Sequence, residues 1–182
     1  MTDYQDFNHY QSNDKVILIS NEQHKFHVKK QVAEMSVLVK TMTEDDDVVM
    51  DDDNDQVDIQ EVPLNNVNDR ALLKVIKFCQ YHDENGPMNE IEKPLTDTDL
   101  KKVVSEWDGT FIQSLEQEEL FELILAANYM DIKPLLDLAC AQVATQIKGK
   151  SPEEIRKQFN IVNDFTPEEE AQIREENKWC HE

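Results

Sequence analysis

Asn128-Tyr-Met-Asp-Ile-Lys-Pro-Leu-Leu-Asp137, then Gly149-Lys-Ser-Pro-Glu-Glu-Ile-Arg-Lys157, Asn163-Asp-Phe-Thr-Pro-Glu-Glu-Glu170 and the terminal Trp179-Cys-His-Glu182 are the segments from which the fold can be read. Pro134 suits the first turn of a helix carrying Leu135, Leu138, Ala139, Val143 and Ile147, which Gly149 ends. Two further helix starts share one design. Ser151-Pro152-Glu153-Glu154 and Thr166-Pro167-Glu168-Glu169 each place a hydroxyl at the cap, proline at the first helical position and glutamate three residues after the cap. Each cap is worth roughly 1 kcal/mol. These helices are specified locally, yet they carry little core of their own. Val143 and Ile147 lie one turn apart, Ile155 and Phe159 repeat that spacing, Ile161, Val162 and Phe165 form a connector, and Ile173 is nearly alone until Trp179. Two readings are open: a small satellite core, or a docking face that needs a partner. The last helix is too polar to bury much within the chain, and a tryptophan brings roughly 150–250 Å² of surface, which favours docking.

Toward the N-terminus, Lys15–Ser20 and Lys25–Val28 read as a hairpin across Asn21-Glu22-Gln23. Val32, Met35, Val39 and Met42 predict one helix over 30–42, and 58–64 reads as a short strand. Leu72, Val75, Ile76 and Cys79 make a stripe that predicts a helix over 69–82, capped by Asn68 or Asp69. Residues 83–106 read as a long polar loop with one helical turn near 99–104. Leu120, Phe121, Leu123, Ile124, Ala127 and Tyr129 nearly fill the circumference of a helix over 117–130, as expected of a central helix. Residues 1–14 read as a disordered extension. The acidic block 44–58 reads as a disordered loop; it fails as a calcium loop because Gln56 stands where glycine is required and Val62 where glutamate is.

The 182 residues carry a formal charge of −21, from 39 acidic and 18 basic side chains. That balance argues against nucleic acid and against an anionic membrane surface as partners. No apolar run reaches membrane-spanning length, and residues 1–7 have neither a basic nor an apolar leader region, so no signal peptide is expected. Three widely spaced cysteines fit a reducing compartment, cytoplasmic or nuclear. Three glycines cannot build a phosphate loop, and no histidine stands at zinc spacing from a cysteine. His24 and His27 read as surface residues, and Cys79 and Cys140 as buried thiols on apolar stripes. The expectation is a protein that is not an enzyme and has no cofactor, metal or catalytic residue.

The segments 123–133 (Leu-Ile-Leu-Ala-Ala-Asn-Tyr-Met-Asp-Ile-Lys), 152–157 (Pro-Glu-Glu-Ile-Arg-Lys) and 163–170 resemble the Skp1 family, adaptor subunits of SCF-type ubiquitin ligases. The resemblance implies an α/β (α+β) fold, a BTB/POZ-like domain with two additional C-terminal helices. It implies a cullin-binding domain over 15–148 and F-box-binding helices over 149–182. It places F-box contacts at Val143, Ile147, Ile155, Phe159, Ile161 and Trp179, and cullin contacts at Asn128 and Tyr129. The implied role is to bridge a cullin to interchangeable F-box proteins, and indirectly to a RING subunit and an E2. A non-ligase assembly such as a kinetochore complex, or a BTB-like homo-oligomeric structural protein, are the alternatives. Departures occur at Gly109-Thr110, at 112–115, at His181, in the N-terminal extension and in the 94–106 insert.

Overall fold

The computed structural model describes residues 14–44 and 59–178. The expectations for residues 1–13, for most of the acidic block and for Trp179 therefore lie outside the described residues. The chain divides into two compact units, one up to Thr145 and one from Gln146 onward.

The first unit is built on a three-stranded sheet of β1 (Lys15–Ile19), β2 (Lys25–Lys29) and β3 (Glu61–Pro63), in the order β2-β1-β3. β1 pairs antiparallel with β2, from Lys15 opposite Lys29 to Ile19 opposite Lys25, and parallel with β3, with Leu18 opposite Val62. The central strand is the one with an unbroken apolar run, and its Val16, Ile17 and Leu18 are all buried. The turn from Ser20 to His24 is closed by the Gln23 N–H on the Ser20 carbonyl, with Gln23 itself in the left-handed region at φ 65°.

Helices follow: α1 (Lys30–Ala33), α2 (Val37–Glu44), α3 (Asp69–Asn85), α4 (Leu100–Val103), α5 (Glu106–Gln113), α6 (Gln117–Tyr129) and α7 (Lys133–Ile147). The single helix expected over 30–42 is two helices. Ser36 breaks it: its hydroxyl accepts the Val39 N–H at 3.1 Å and donates to the Met130 carbonyl. That bond depends on a residue 94 positions away, which helical periodicity cannot register. Asn68 is the cap of α3, accepting the Ala71 N–H at 2.8 Å. Leu18, Leu64, Leu72 and Phe78 form the core with Leu100, Ile112, Leu120, Leu123, Leu135 and Leu138. No described helix is long and apolar enough to cross a membrane.

The stretch expected as a loop over 83–106 is more ordered than its polarity suggested. α3 runs on to Asn85, Leu100 and Val104 are buried, and Met88, Ile91 and Leu95 rest partly buried on the core. Their spacing follows neither the helical nor the strand period, so the pattern conceals them. A buried polar node ties this stretch down. His82 Nε2 lies 2.9 Å from Asp108 Oδ1, with the two side chains 3% and 1% exposed. His82 Nδ1 donates to the Gly86 carbonyl at 2.8 Å, so Nε2 and the carboxyl hold one proton between them. The Ser105 hydroxyl donates to Asp108 Oδ2 at 2.7 Å and accepts the Asp108 N–H at 3.1 Å, capping α5. Phe78, Tyr81 and Trp107 surround the imidazole, with Tyr81 and Trp107 stacked at 3.7 Å and Trp107 stacked in turn on Phe111. Gly86 stops α3 at φ 88°, a conformation open to glycine.

Candidate functional site

The second unit contains α8 (Pro152–Gln158) and α9 (Pro167–Glu176). Both capping boxes are formed. The Ser151 hydroxyl accepts the Glu154 N–H at 3.2 Å while Glu154 accepts the Ser151 N–H at 2.8 Å. Thr166 and Glu169 reciprocate at 3.3 and 2.8 Å. The bond from the cap's backbone N–H holds the carboxyls of Glu154 and Glu169 below the usual glutamate range. A carboxyl whose pKa is depressed by folding contributes stability above its unfolded value, and that contribution is lost as the pH falls through its folded value. Acidification from neutrality through the carboxylate range is therefore expected to fray α8 and α9 from their N-terminal ends. Loss of the Ser151 and Thr166 amide protection, followed by NMR, checks this; amides unchanged through that range would contradict it.

The two helices are joined by charge. Arg156 Nη1 lies 3.3 Å from Glu170, and Arg174 Nη2 lies 2.9 Å from Glu153 and 3.7 Å from Glu170. Exposed pairs of this kind contribute little one at a time. Arg156 is better shielded, and its guanidinium sits 6.0 Å from the Phe165 ring centroid. The Arg156 carbonyl accepts the Ile161 N–H at 2.8 Å just after Asn160 turns the chain at φ 53°. The connector therefore leaves α8 in a defined direction.

No described residue of α8 or α9 is buried. Of the expected F-box contacts in this unit, Ile155 and Phe159 are half-buried, while Ile147 and Ile161 are 37% and 54% exposed. Val162, Phe165 and Ile173 are exposed as well and enlarge the apolar surface beyond the predicted set. Val143 belongs to the first unit and packs partly against its core. Trp179 lies outside the described residues.

The expected cullin contacts lie at the end of α6. Asn128 is exposed, and Tyr129 is half-buried against the core. The reading of α6 as central is half right. Leu120, Leu123, Ala126 and Ala127 are buried, but Phe121 and Leu125 are 39% and 67% exposed. Phe121, Leu125 and Asn128 stand at i, i+4 and i+7, so they share one outward stripe. Residue type alone could not separate this stripe from the buried one; its only signal was Asn128 on the same side. Beyond it, Asp131 turns the chain at φ 51°, and the carbonyls of Met130 and Asp131 accept the Leu38 and Val37 N–H groups at the start of α2. Val37, 53% exposed, is brought beside this turn.

The cysteines differ from expectation in one respect. Cys79 is buried, and burial pushes its thiol up to about 12, far from a reactive thiolate. Cys140 is exposed instead of buried. It lies between Ala139 and Ala141 on α7 but points away from the face defined by Leu135 and Leu138.

Comparison with known proteins matches residues 14–84 to the Skp1 family tetramerisation domain and residues 133–180 to the Skp1 family dimerisation domain. An "S-phase kinase-associated protein 1 homolog" of Tetrahymena thermophila is 53% identical over 168 residues, covering 92% of this chain and 95% of the relative. The "E3 ubiquitin ligase complex SCF subunit sconC" of Arthroderma benhamiae is 47% identical over 171 residues, covering 92% and 96%. The "Suppressor of kinetochore protein 1" of Schizosaccharomyces pombe is 46% identical over 170 residues, covering 92% and 98%.

Proposed function

The chain belongs to the Skp1 family, and from that premise we propose that it is the adaptor of an SCF-type E3 ubiquitin ligase, bridging a cullin to interchangeable F-box proteins. The observation that carries the reading is identity of about half, along nearly the whole chain, to a subunit of such a complex. The apolar surface of the second unit supports it, since Ile147, Ile161, Val162, Phe165 and Ile173 are all exposed. In this reading Val143, Ile147, Ile155, Phe159, Ile161 and Trp179 bind the F-box, and Asn128 and Tyr129 bind the cullin. The exposed Phe121 and Leu125 extend the α6 face. The adaptor performs no bond chemistry. It raises the effective concentration of a bound substrate near the RING subunit and its E2, and the proposed compartments are cytoplasm and nucleus.

The name of the Schizosaccharomyces relative supports a second reading, an assembly at the kinetochore. Affinity capture from the native cell with mass spectrometry separates the two. Wild type should recover a cullin and several F-box proteins. Tyr129→Lys should lose the cullin and keep the F-box proteins, while Trp179→Ala should lose many F-box proteins together. Recovery of F-box proteins without any cullin by the wild type would favour the non-ligase assembly. Tyr129→Lys and wild type capturing equal cullin would defeat the cullin assignment.

A further inference from the structure

We infer that Glu22, His24 and Asp69 form a binding site for a divalent transition-metal ion, zinc being the ion that fits. The site lies in the first unit and shares no residue with either partner face proposed above. Residues 22 and 24 flank Gln23, whose left-handed backbone reverses the β1–β2 turn, and Asp69 is the first residue of α3. One ligand atom from each converges with the other two to within 4.8 Å.

The donor set is what distinguishes this group from the many carboxylates on the surface. His24 Nδ1 and Asp69 Oδ2 are hydrogen-bonded to each other, so an imidazole nitrogen stands beside a carboxylate oxygen and a metal ion would take the place of the proton between them. Nitrogen with two carboxylates suits zinc, whereas calcium and magnesium take oxygen sets. Donors about 2 Å from one ion stand roughly 3–4 Å apart, so Glu22 must draw closer and the His24–Asp69 hydrogen bond must open, rotamer changes that exposed Glu22 and His24 can supply. Three protein ligands leave a fourth position for water.

Asp69 is also held for this role by a group behind it. The Ser20 hydroxyl, on a residue 1% exposed, donates to Asp69 Oδ1 and accepts the His24 N–H at 3.3 Å. It thereby orients the Asp69 carboxylate, as an outer-shell partner does, and holds the backbone at His24. Helix capping makes no demand on the Asp69 carboxylate, because Asn68 supplies the α3 cap and Glu22 accepts the Asp69 N–H at 3.3 Å. Two carboxylates offset the positive end of α3, and the −21 chain raises the cation concentration around it.

The test is calorimetric titration of the full chain with zinc chloride, in excess magnesium chloride to occupy scattered carboxylates. Wild type should bind one equivalent in a saturable step. His24→Asn keeps a donor for Asp69 but removes the imidazole ligand, and it should weaken binding at least tenfold. Asp69→Asn should do the same, and Glu61→Gln, in the Lys25 ion pair, should leave binding unchanged. Since His24 is exposed, His24→Asn tests the site even if Asp69→Asn disturbs the fold. Equal zinc affinity in wild type and His24→Asn overturns the inference, as does the absence of saturable binding by the wild type. Either result leaves the adaptor reading untouched.

Discussion

Asp108→Ala is expected to lower the stability of the first unit by about 3–5 kcal/mol, the effect of removing one partner from a buried ionisable pair. The carboxylate is 1% exposed and receives both His82 Nε2 and the Ser105 hydroxyl. With it gone, the imidazole faces Phe78, Tyr81 and Trp107 with one nitrogen unsatisfied, and α5 loses a first-turn acid. The double variant Asp108→Ala/His82→Phe should recover part of the loss, because it leaves fewer buried polar atoms without partners. Urea denaturation followed by far-ultraviolet circular dichroism measures both. A single-variant loss under about 1 kcal/mol would mean that water replaces the carboxylate and that the node contributes little.

The second large effect is on binding. Ile161→Asp should weaken association with an F-box segment about 100-fold while leaving the melting curve of the free chain unchanged. Ile161 is 54% exposed in the connector after α8, so the free protein loses little packing when it is replaced. In the complex, loss of an isoleucine contact costs about 1.5–3 kcal/mol, and an aspartate facing an apolar partner adds desolvation. About 3 kcal/mol corresponds to roughly two decades in Kd. Isothermal titration with a purified F-box segment gives the number. Affinity within threefold of wild type would remove Ile161 from the interface.

The contrast between these two positions shows what the amino-acid order could reveal. The caps at Ser151 and Thr166 were legible because every atom involved lies within four residues. The α3 stripe was legible because its burial follows the helical period. The His82–Asp108 contact spans 26 residues and the Ser36–Met130 contact 94, and no local pattern encodes either. Leu125 was hidden for the opposite reason: leucine on an apolar helix gives no sign that its side faces outward. The docking face of the second unit is inferred from the poverty of its apolar residues, and Ile161 and Ile173 are exposed in the free chain. Cys140 was misjudged because a small residue between two alanines fits either side of a helix.

The node at His82 also has a consequence for the length of the chain that it closes. It joins the end of α3 to the start of α5, so the intervening residues form a loop whose ends are fixed by the protein interior. The entropy of closing such a loop grows only logarithmically, and doubling its length costs about 0.6 kcal/mol. That is well below the stabilisation expected of the clasp. Residues added among exposed Glu92, Lys93 and Pro94 would displace none of Met88, Ile91 or Leu95 from the core. Insertions at 92–94 are thus expected to leave the helices on either side in register.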